Sequence, residues 1–378
     1  MGYAFLLLLL SVLPARAEGN PISGTRNKTA ATDDASVTAS GFVAIDPFEQ
    51  VKQMSRGLNI LWSDPMWQDF NQARFKERHF QRIHDGGFQT LRVGLQAFDH
   101  MDTKDRLDPT WLKTLDWVVN NALANHLNVI LDEHDYTRCG TNAARCRTKL
   151  LAFWEQIALR YRDAPNSVMF EILNEPNRQL TIPLWNSLLK ETLAVIRKTN
   201  PTRNVIIGPA SWNNIPYLDK LELPADDRHT IVTVHYYTPL EFTHQGARHV
   251  KTYSHLSGVT WLGTEADKRR VNDDFAAVQQ WSKKEGRPIL LGEFGAYEKA
   301  DMDSRVRYTS YIARAAESRG WAWAYWQFDS SPVAYDVEKD NWIQLSRARA
   351  YGQVDVGFIV YDMAKDDWIL PLWKALVP

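Results

Sequence analysis

The sequence predicts an α/β protein that folds as one (β/α)8 barrel, or TIM barrel. Eight short, nearly continuous apolar runs alternate with segments that have the 3.6-residue periodicity of amphipathic helices. Apolar runs of this kind are typical of a parallel sheet covered by helices, and eight such units in one domain favour a closed barrel. The alternative is an open, doubly wound sheet. No glycine-rich phosphate loop follows the first run, which favours the barrel.

The elements follow one another in a regular order. The predicted strands are Gly57–Trp62, Thr90–Gly94, Asn128–His134, Val168–Asn174, Asn204–Gly208, Thr230–His235, Pro288–Glu293 and Trp321–Phe328. The predicted helices are Ala73–Asp85, Thr110–Asn125, Thr148–Tyr161, Pro183–Lys198, Pro216–Leu221, Val271–Lys284, Asp303–Ser318 and Asp366–Leu376. Prolines in Asp108-Pro109 and Ile182-Pro183 indicate helix starts, because proline suits the first helical turn.

The first 40 residues have the pattern of an export signal and a leader. Residues 1–17 are mostly apolar and end in Ala15-Arg16-Ala17, which has the form of a cleavage site, so we predict a signal peptide there. Residues 18–40 are polar and predict a flexible leader. The catalytic domain is predicted over residues 41–378, and the mature protein is expected to be secreted or periplasmic.

Composition and charge exclude several classes of protein. With 44 Lys and Arg against 45 Asp and Glu, the formal net charge is −1, which argues against nucleic acid or an anionic membrane as partner. No apolar run after the signal is long enough to span a bilayer. The 44% of apolar residues predicts a folded chain. We expect no cofactor, because no motif with metal-ligand spacing is present. We also expect a monomer.

The sequence contains two cysteines, Cys139 and Cys146, separated by seven positions. In an exported protein, two cysteines this close can form a small loop-closing disulfide. The alternative is a pair of free thiols, and the oxidising destination favours the disulfide.

Polar and aromatic side chains cluster where the predicted strands end, which is the active-site face of a (β/α)8 barrel. Two carboxylates stand out, because Glu175 and Glu293 follow the apolar runs of strands four and seven. A buried carboxylate costs desolvation free energy unless it is paired or used. One alternative is a salt bridge with Arg92. Two glutamates at matching strand ends indicate catalysis of glycosidic bond hydrolysis, which needs a proton donor and a second carboxylate.

These residues resemble glycoside hydrolase family 5, the cellulase family of retaining barrel glycosidases. The resemblance covers residues 57–373. The matching motifs are Asn174-Glu175-Pro176, Gly292-Glu293-Phe294-Gly295, Arg92 in Leu91-Arg92-Val93, His134 after strand three, His235-x-Tyr237 followed by Pro239, and Trp326 on strand eight. The segment Tyr237–Gln245 resembles a stretch of the family's endoglucanases. Many family members have two histidines after strand three, whereas this sequence has His134-Asp135.

The resemblance implies that Glu293 is the nucleophile and that Glu175 is the acid/base. Glu175 then needs a raised pKa, and Glu293 a normal or lowered one. Arg92 would keep Glu293 ionised, and Tyr237 would donate a hydrogen bond to it.

The remaining implied roles concern substrate. His235 would bond near Glu175 or the sugar, Asn174 would bind the sugar 2-hydroxyl, and His134 would bind other hydroxyls of the same subsite. Trp326 would form the floor of that subsite. Three further tryptophans are expected along the cleft, or alternatively as core or loop anchors: Trp62, Trp212 and Trp261.

The sequence thus predicts a glycoside hydrolase, a retaining endo-β-1,4-glucanase that acts on β-glucan by double displacement. A β-mannanase, a xyloglucanase or another β-glycanase would use the same machinery. A second class is a non-catalytic, carbohydrate-binding barrel, against which the intact Glu175 and Glu293 argue. A metal-dependent hydrolase is disfavoured because Glu133 and Asp135 point away from His134 on a strand.

Overall fold

Eight parallel strands close into a barrel in the computed structural model, which describes residues 41–61, 63–329, 333–336, 341–344, 358–363 and 365–378. Each strand pairs with the next along the chain, and the eighth pairs with the first, with Leu58 opposite Tyr325. The barrel strands are β1 Arg56–Ile60, β2 Thr90–Leu95, β3 Asn128–Glu133, β4 Val168–Glu171, β5 Val205–Ile207, β6 Thr230–Tyr236, β7 Ile289–Phe294 and β8 Ala322–Tyr325. The predicted (β/α)8 barrel is confirmed.

Helices follow the strands around the barrel. They are α1 Pro47–Met54, α2 Glu77–Asp85, α3 Pro109–Ala124, α4 Tyr136–Thr141, α5 Ala143–Arg160, α6 Ile182–Arg197, α7 Ala210–Asn213, α8 Leu240–Thr243, α9 Glu265–Glu285, α10 Met302–Glu317 and a last helix, Leu370–Leu376. Of these, α7 is a short turn with left-handed backbone at Ser211 and Trp212 and not a regular helix. Short 3-10 turns are Pro65–Trp67, Phe70–Gln72, Ala97–His100 and Ile215–Lys220. Two antiparallel pairs, Val333–Asp336 with Asn341–Gln344 and Tyr361–Asp362 with Asp367–Trp368, complete the described elements.

Capping side chains explain where two of the helices begin. Asp108 accepts hydrogen bonds from the amides of Thr110 and Trp111 and places Pro109 in the first turn of α3, as predicted. Thr264 and Asp267 form a capping box, so α9 begins six residues before the predicted Val271.

Helix α1, which the sequence pattern did not predict, closes the lower end of the barrel. Its Val51 and Met54 are buried in one apolar cluster with barrel side chains that include Ile130, Met169 and Leu290. Asp46 caps the helix through the amides of Phe48 and Glu49. The floor of the barrel is therefore apolar.

Cys139 and Cys146 form a disulfide in the structure, with their Cα atoms 4.7 Å apart. It joins α4 to α5, directly beyond the end of β3. Among the described residues, no helix is both long and apolar enough to cross a membrane. The predicted signal peptide and leader lie outside the described residues, so export remains a prediction.

Candidate active site

Arg92 lies inside the barrel on β2 and is fully buried. Its Nε and Nη2 donate to the two carboxyl oxygens of Glu171 on β4, at 2.7 and 2.8 Å. Its Nη1 donates to Oε1 of Glu293 at 3.0 Å, and its Nη2 lies 3.1 Å from Oδ2 of Asp132. One guanidinium therefore faces three buried carboxyl groups, of which Glu293 was predicted.

Two asparagines complete the surroundings of Arg92. Oδ1 of Asn59 on β1 accepts from Nη1 at 2.8 Å, while its amide donates to the carbonyl of Gly292 at 2.9 Å. Oδ1 of Asn174 accepts from Nη2 at 2.8 Å. Arg92 thereby fixes the orientation of the Asn174 amide, so that its NH2 group is the donor left for other partners.

Glu293 lies in β7 and is held at both carboxyl oxygens. Oε1 accepts from Arg92, and Oε2 accepts from the hydroxyl of Tyr237 at 2.9 Å. Hydrogen bonds from two donors orient the carboxyl group and favour its ionised form. The sequence analysis assigned both partners to Glu293.

Glu175 reaches the site from the loop after β4, four residues beyond the end of that strand. Its backbone has φ of 41°, in the left-handed region that residues other than glycine rarely occupy. Such a conformation costs about 1–3 kcal/mol and persists only where the surroundings impose it. The Asn177 side chain donates to the Glu175 carbonyl at 2.7 Å, and the backbone N–H of Asn174 donates to the Glu133 carbonyl at 2.8 Å. These two bonds hold the segment on which Glu175 lies.

His235 on β6 holds the side chain of Glu175 in place. Its Nδ1 lies 2.8 Å from Oε1 of Glu175, and its Nε2 lies 3.2 Å from the side-chain nitrogen of Asn213. Because an amide NH2 group can only donate, Nε2 is the acceptor and Nδ1 carries the hydrogen that bonds Glu175. Burial lowers the pKa of His235 well below its usual value, so the ring is neutral.

The two glutamates face each other closely enough to share substrate. An oxygen of Glu175, an oxygen of Glu293 and a ring nitrogen of His235 all lie within 4.8 Å of one another. Burial, and next the negative charge of Glu293, raise the pKa of Glu175 well above its usual value. Burial also raises the pKa of Glu293, whereas a normal or lowered value was predicted, and Arg92, His134 and Tyr237 counteract that rise. The pair therefore holds a proton on Glu175 in preference to Glu293.

His134 lies at the cavity, where its contact with sugar hydroxyls remains a prediction. Its Nδ1 lies 2.6 Å from Oδ2 of Asp132, and its Nε2 lies 3.2 Å from the Asn174 amide nitrogen. Both ring nitrogens thus have a protein group within hydrogen-bond distance. The ring stacks on Trp326, with centroids 5.6 Å apart and planes at 9°. His134 therefore supports the tryptophan.

A cavity of about 650 Å³ opens above the carboxyl pair. Its lining includes eight of the predicted residues: His134, Asn174, Glu175, Trp212, His235, Tyr237, Glu293 and Trp326. Arg92 lies beneath it. The cavity is the space in which a substrate would contact both glutamates.

Trp212 stands exposed on one side of this cavity, with 46% of its surface accessible. It is the middle one of three successive residues with left-handed backbone, at φ 65° for Ser211, 62° for Trp212 and 51° for Asn213. The Trp212 amide donates to the Pro176 carbonyl at 3.2 Å, and Asn213 is fully buried against His235. The loop is thus tied to both His235 and the Glu175 segment, and it holds an indole at the cavity.

The placement of Trp261 in the cleft was wrong. The side chain is only 2% exposed and packs against Tyr308 and Tyr311, with ring centroids 5.6 and 5.8 Å away. It is part of the core under α10. Trp62 lies outside the described residues, so its place along the cleft remains a prediction.

Sequence reasoning missed several residues of the site, including Asp132, which contacts both Arg92 and His134. Glu171 and Asn59 surround Arg92, and Tyr136 lines the cavity with its ring edge against His134, centroids 5.4 Å apart. The available signal was a charged or amide side chain inside an apolar strand run, as Glu171 is within Val168–Ile172. Tyr136 gave no comparable signal.

One group of donors among the described residues comes close enough to share a metal ion, and it consists of Glu175, His235 and Glu293. The hydrogen bond from His235 to Glu175 already links two of these donors through a proton. A hydrogen bond thus already connects His235 and Glu175, and the two glutamates offer a proton donor and a carboxylate.

Known proteins share this fold and much of this sequence. A family model described as cellulase (glycosyl hydrolase family 5) matches residues 46–332. Endoglucanase H of Acetivibrio thermocellus is 33% identical over 289 residues, which are 75% of this chain and 30% of that protein. Cellulase/esterase CelE of the same organism is 27% identical over 352 residues, 85% of this chain and 42% of that protein. The chain thus spans less than half the length of these two relatives.

A solved relative shows the same fold over its whole chain. Cel5A of Thermotoga maritima superimposes with a TM-score of 0.77 and 37% sequence identity, covering 88% of this chain and 100% of its own. It has been solved in complex with cellobiose and with mannotriose. The closed barrel and the carboxyl pair on its strand-end face define the class of (β/α)8-barrel glycosidases. Within that class, the chain belongs to glycosyl hydrolase family 5, the cellulase family.

Proposed function

We propose that this protein is a retaining endo-β-1,4-glucanase. The observation that carries the proposal is the approach of Glu175 and Glu293, whose nearest oxygens lie within 4.8 Å. Retaining glycosidases have their two carboxyl groups about 5–5.5 Å apart, whereas inverting enzymes need about 6.5–9.5 Å to admit a water molecule. The spacing here supports direct attack by one carboxylate.

The first step uses both glutamates. An oxygen of ionised Glu293 attacks the anomeric carbon, and the bond between that carbon and the glycosidic oxygen breaks. Glu175 transfers its proton to the departing oxygen, which leaves as a hydroxyl of the shortened glucan. The raised pKa of Glu175, caused by burial and by Glu293, keeps the proton available for this step.

The second step restores the enzyme. Glu175, now ionised, takes a proton from a water molecule as that water attacks the anomeric carbon of the glycosyl-enzyme. The bond to Glu293 breaks, and the product leaves with its original β configuration. His235 donates a hydrogen bond to Glu175, which stabilises the ionised form that accepts the proton.

The surrounding residues bind the sugar that undergoes reaction. One hydrogen of the Asn174 amide faces His134, and the second is free to bind the sugar 2-hydroxyl, a contact that strengthens in the transition state. Trp326 offers an indole surface for the apolar face of the ring, supported from behind by His134.

Two observations support a polymeric β-glucan as substrate. The cavity is open and continues along exposed aromatic and apolar side chains such as Trp212 and Leu240, which suits internal segments of a chain. One relative is named endoglucanase H and another cellulase/esterase CelE, and Thermotoga maritima Cel5A binds cellobiose, a β-1,4-linked glucose disaccharide. That Cel5A also binds mannotriose favours β-mannan as a second candidate substrate. We also propose that residues 1–17 direct export and that the secreted or periplasmic enzyme acts as a monomer.

Activity and stereochemistry test the proposal together. We expect reducing-sugar release from carboxymethylcellulose and barley β-glucan, with the β anomer appearing first in the NMR spectrum. Glu293→Gln should lower kcat by roughly four orders of magnitude, while Glu265→Gln, an exposed glutamate on α9, should leave it unchanged. An α anomer as first product would refute the retaining mechanism.

Azide rescue separates the two roles. Removing the nucleophile lets azide attack the sugar directly, so Glu293→Ala should give an α-glycosyl azide. Removing the acid/base leaves azide to displace Glu293 from the glycosyl-enzyme, so Glu175→Ala should give the β-glycosyl azide. An exchange of the two products would reverse the assignment.

A further inference from the structure

The loop after β4, residues 172–181, carries Glu175 and is named the acid/base loop. Two of its residues have left-handed backbone, Glu175 at φ 41° and Arg178 at φ 49°. A residue with a side chain avoids this region unless its neighbours impose it. The direction in which the Glu175 side chain leaves the backbone therefore depends on the groups that hold this loop.

Asn177 holds the acid/base loop from within. Its side chain is only 3% exposed, and its Nδ2 donates to the carbonyl oxygen of Glu175 at 2.7 Å. The same nitrogen lies 3.5 Å from the carbonyl oxygen of Tyr136, the first residue of α4. The Asn177 amide thus fixes the peptide plane that directly follows Glu175, and with it the backbone conformation of that residue.

Helix α4 supports the Asn177 amide from the other side. A Cβ atom added at Gly140 would overlap Oδ1 of Asn177, so the amide lies directly against the bare backbone of that glycine. The Gly140 carbonyl also accepts a hydrogen bond from the N–H of Gln179 at 3.1 Å. Cys139, the preceding residue, joins α4 to α5 through its disulfide with Cys146. Glycine at position 140 therefore leaves the space that the amide needs, on a helix that is itself anchored.

Loss of this support would move one glutamate of the pair and leave the other. With an ordinary negative φ, the Cα–Cβ bond of Glu175 would point in a different direction. Its Oε1 would then leave Nδ1 of His235, which now lies 2.8 Å away. Glu293 would stay in place, because Arg92 and Tyr237 hold its two oxygens. Proton delivery would therefore suffer while the proposed nucleophile keeps its position.

We propose that Asn177, seated on Gly140, is a positioning residue that fixes the direction in which Glu175 presents its proton to the leaving oxygen. Asn177 does not line the cavity, so it acts only through Glu175. This inference rests on the proposed glucanase function and adds a residue that touches neither the substrate nor the reacting atoms.

Leaving groups that differ in their need for a proton test this role. 2,4-Dinitrophenol departs as an anion without help from an acid, whereas phenol needs the proton of Glu175. For each aryl glycoside, kcat/KM reports the steps up to formation of the glycosyl-enzyme. In Asn177→Ala we expect kcat/KM to fall about 10- to 100-fold on phenyl β-cellobioside and to change by less than about twofold on 2,4-dinitrophenyl β-cellobioside.

Gly140→Ala is a second variant, and it retains the Asn177 side chain. Its added methyl group overlaps the amide, which must move away from its present place. We expect the same selective loss on phenyl β-cellobioside. Gly41→Ala is the matched control, because a Cβ atom at that position meets nothing within 4 Å.

Asn186→Ala controls for the loss of a buried asparagine. Asn186 on α6 is 5% exposed, and its Nδ2 donates to the carbonyl oxygen of Lys220 at 2.8 Å, but it does not line the cavity. Removing it should lower stability much as removing Asn177 does. It should nevertheless keep the wild-type ratio of the two kcat/KM values, because a merely structural loss does not depend on the leaving group.

A crystal structure of Asn177→Ala measures the displacement directly. The 2.8 Å separation between Nδ1 of His235 and Oε1 of Glu175 should lengthen beyond hydrogen-bond distance. An unchanged separation, an equal loss on both aryl cellobiosides, or the same selective loss in Asn186→Ala would overturn the role of Asn177. If wild type cleaves neither the aryl cellobiosides nor any β-glucan, the proposed function itself fails.

Discussion

Arg92 and Glu171 form a two-point ion pair inside the barrel, with Nε and Nη2 lying 2.7 and 2.8 Å from the two carboxyl oxygens. The proposed nucleophile, Glu293, contacts the same guanidinium through a single N–H. Glu171 therefore fixes the plane of Arg92, and Arg92 in turn places a donor against Glu293. The site depends on a carboxyl group that does not touch substrate.

Replacing Arg92 should destabilise the fold most strongly near neutral pH. Arg92→Met leaves Glu171, Asp132 and Glu293 buried without a counter-charge, at an expected cost of roughly 3–5 kcal/mol in the free energy of unfolding. Without the cation, the folded-state pKa values of these carboxyls rise further above their unfolded values. The folded protein then binds more protons than the unfolded chain, so stability falls as pH rises through those raised pKa values.

Urea unfolding at pH 4.5 and pH 7.5 checks this prediction. The difference between wild type and Arg92→Met should be larger at pH 7.5. As a control, Arg78→Met removes only an exposed ion pair with Asp366 and should cost less than about 1 kcal/mol. Equal destabilisation at both pH values would contradict the electrostatic explanation.

Neutralising Glu171 should move the alkaline limb of the pH–rate profile. Burial, Glu293 and then the charges of Asp132 and Glu171 raise the pKa of Glu175, and Arg92 lowers it. Removing one of these negative charges in Glu171→Gln lowers the pKa of Glu175, so the acid form is lost at lower pH. The kcat profile on β-glucan should therefore decline earlier on its alkaline side. A displacement of the alkaline limb to higher pH would contradict this electrostatic effect of Glu171 on Glu175.

Loss of the Tyr237 hydroxyl should affect the acidic limb. The hydroxyl donates to Oε2 of Glu293 at 2.9 Å and favours its ionised form, which lowers the pKa of Glu293. In Tyr237→Phe that pKa rises, and the acidic limb of kcat/KM moves to higher pH. We expect kcat to fall about 10- to 100-fold, the effect of one hydrogen bond to a charged group. Tyr311→Phe, which removes a hydroxyl that accepts from Asn272 and does not line the cavity, is the matched control and should keep the wild-type profile.

Trp212 and Trp261 should give opposite results when each is changed to alanine. Trp212 is exposed at the cavity, so Trp212→Ala should lower kcat/KM on cellohexaose about 2- to 10-fold and change stability by less than about 0.5 kcal/mol. Trp261 is buried in the core, so Trp261→Ala should cost about 3–5 kcal/mol in unfolding free energy. Thermal unfolding and kinetics on the two purified variants distinguish these effects. A stable Trp261→Ala protein with weakened substrate binding would contradict its placement.

Reduction of the disulfide should lower stability measurably. Cys139 and Cys146 close a small loop, for which the chain-entropy relation gives about 2.5 kcal/mol. The Cys139→Ser and Cys146→Ser double variant should show a correspondingly lower Tm that no longer responds to reductant. If denatured wild type gains the mass of two alkyl groups on alkylation without reductant, the thiols are free and the disulfide is refuted.

The strand ends could be predicted from the sequence because each polar cluster follows an uninterrupted apolar run. Glu175 and Glu293 each follow such a run, and their motifs resemble a known family, so both the positions and the implied roles were available. Glu171 was missed because its meaning depends on Arg92, which is 79 residues away in the chain. Such a pairing appears only when the barrel closes.

The errors have similar causes. Trp261 precedes α9 in a loop, and nothing in its local sequence shows that it packs on Tyr308 and Tyr311 of α10. Helix α1 was missed because a short segment before the first strand carries too few apolar positions to show a period.

The apolar floor formed around Val51 and Met54 limits how protons exchange between Glu175 and the solvent. Because the described side chains of this floor are apolar, they offer water no hydrogen-bond partners, and we expect protons to exchange with Glu175 through the substrate opening. A glucan chain that fills the opening would close this route. During the first bond cleavage the carboxyl pair would then work with the one proton that Glu175 held before the sugar arrived, and the attacking water molecule of the second step would supply the next one.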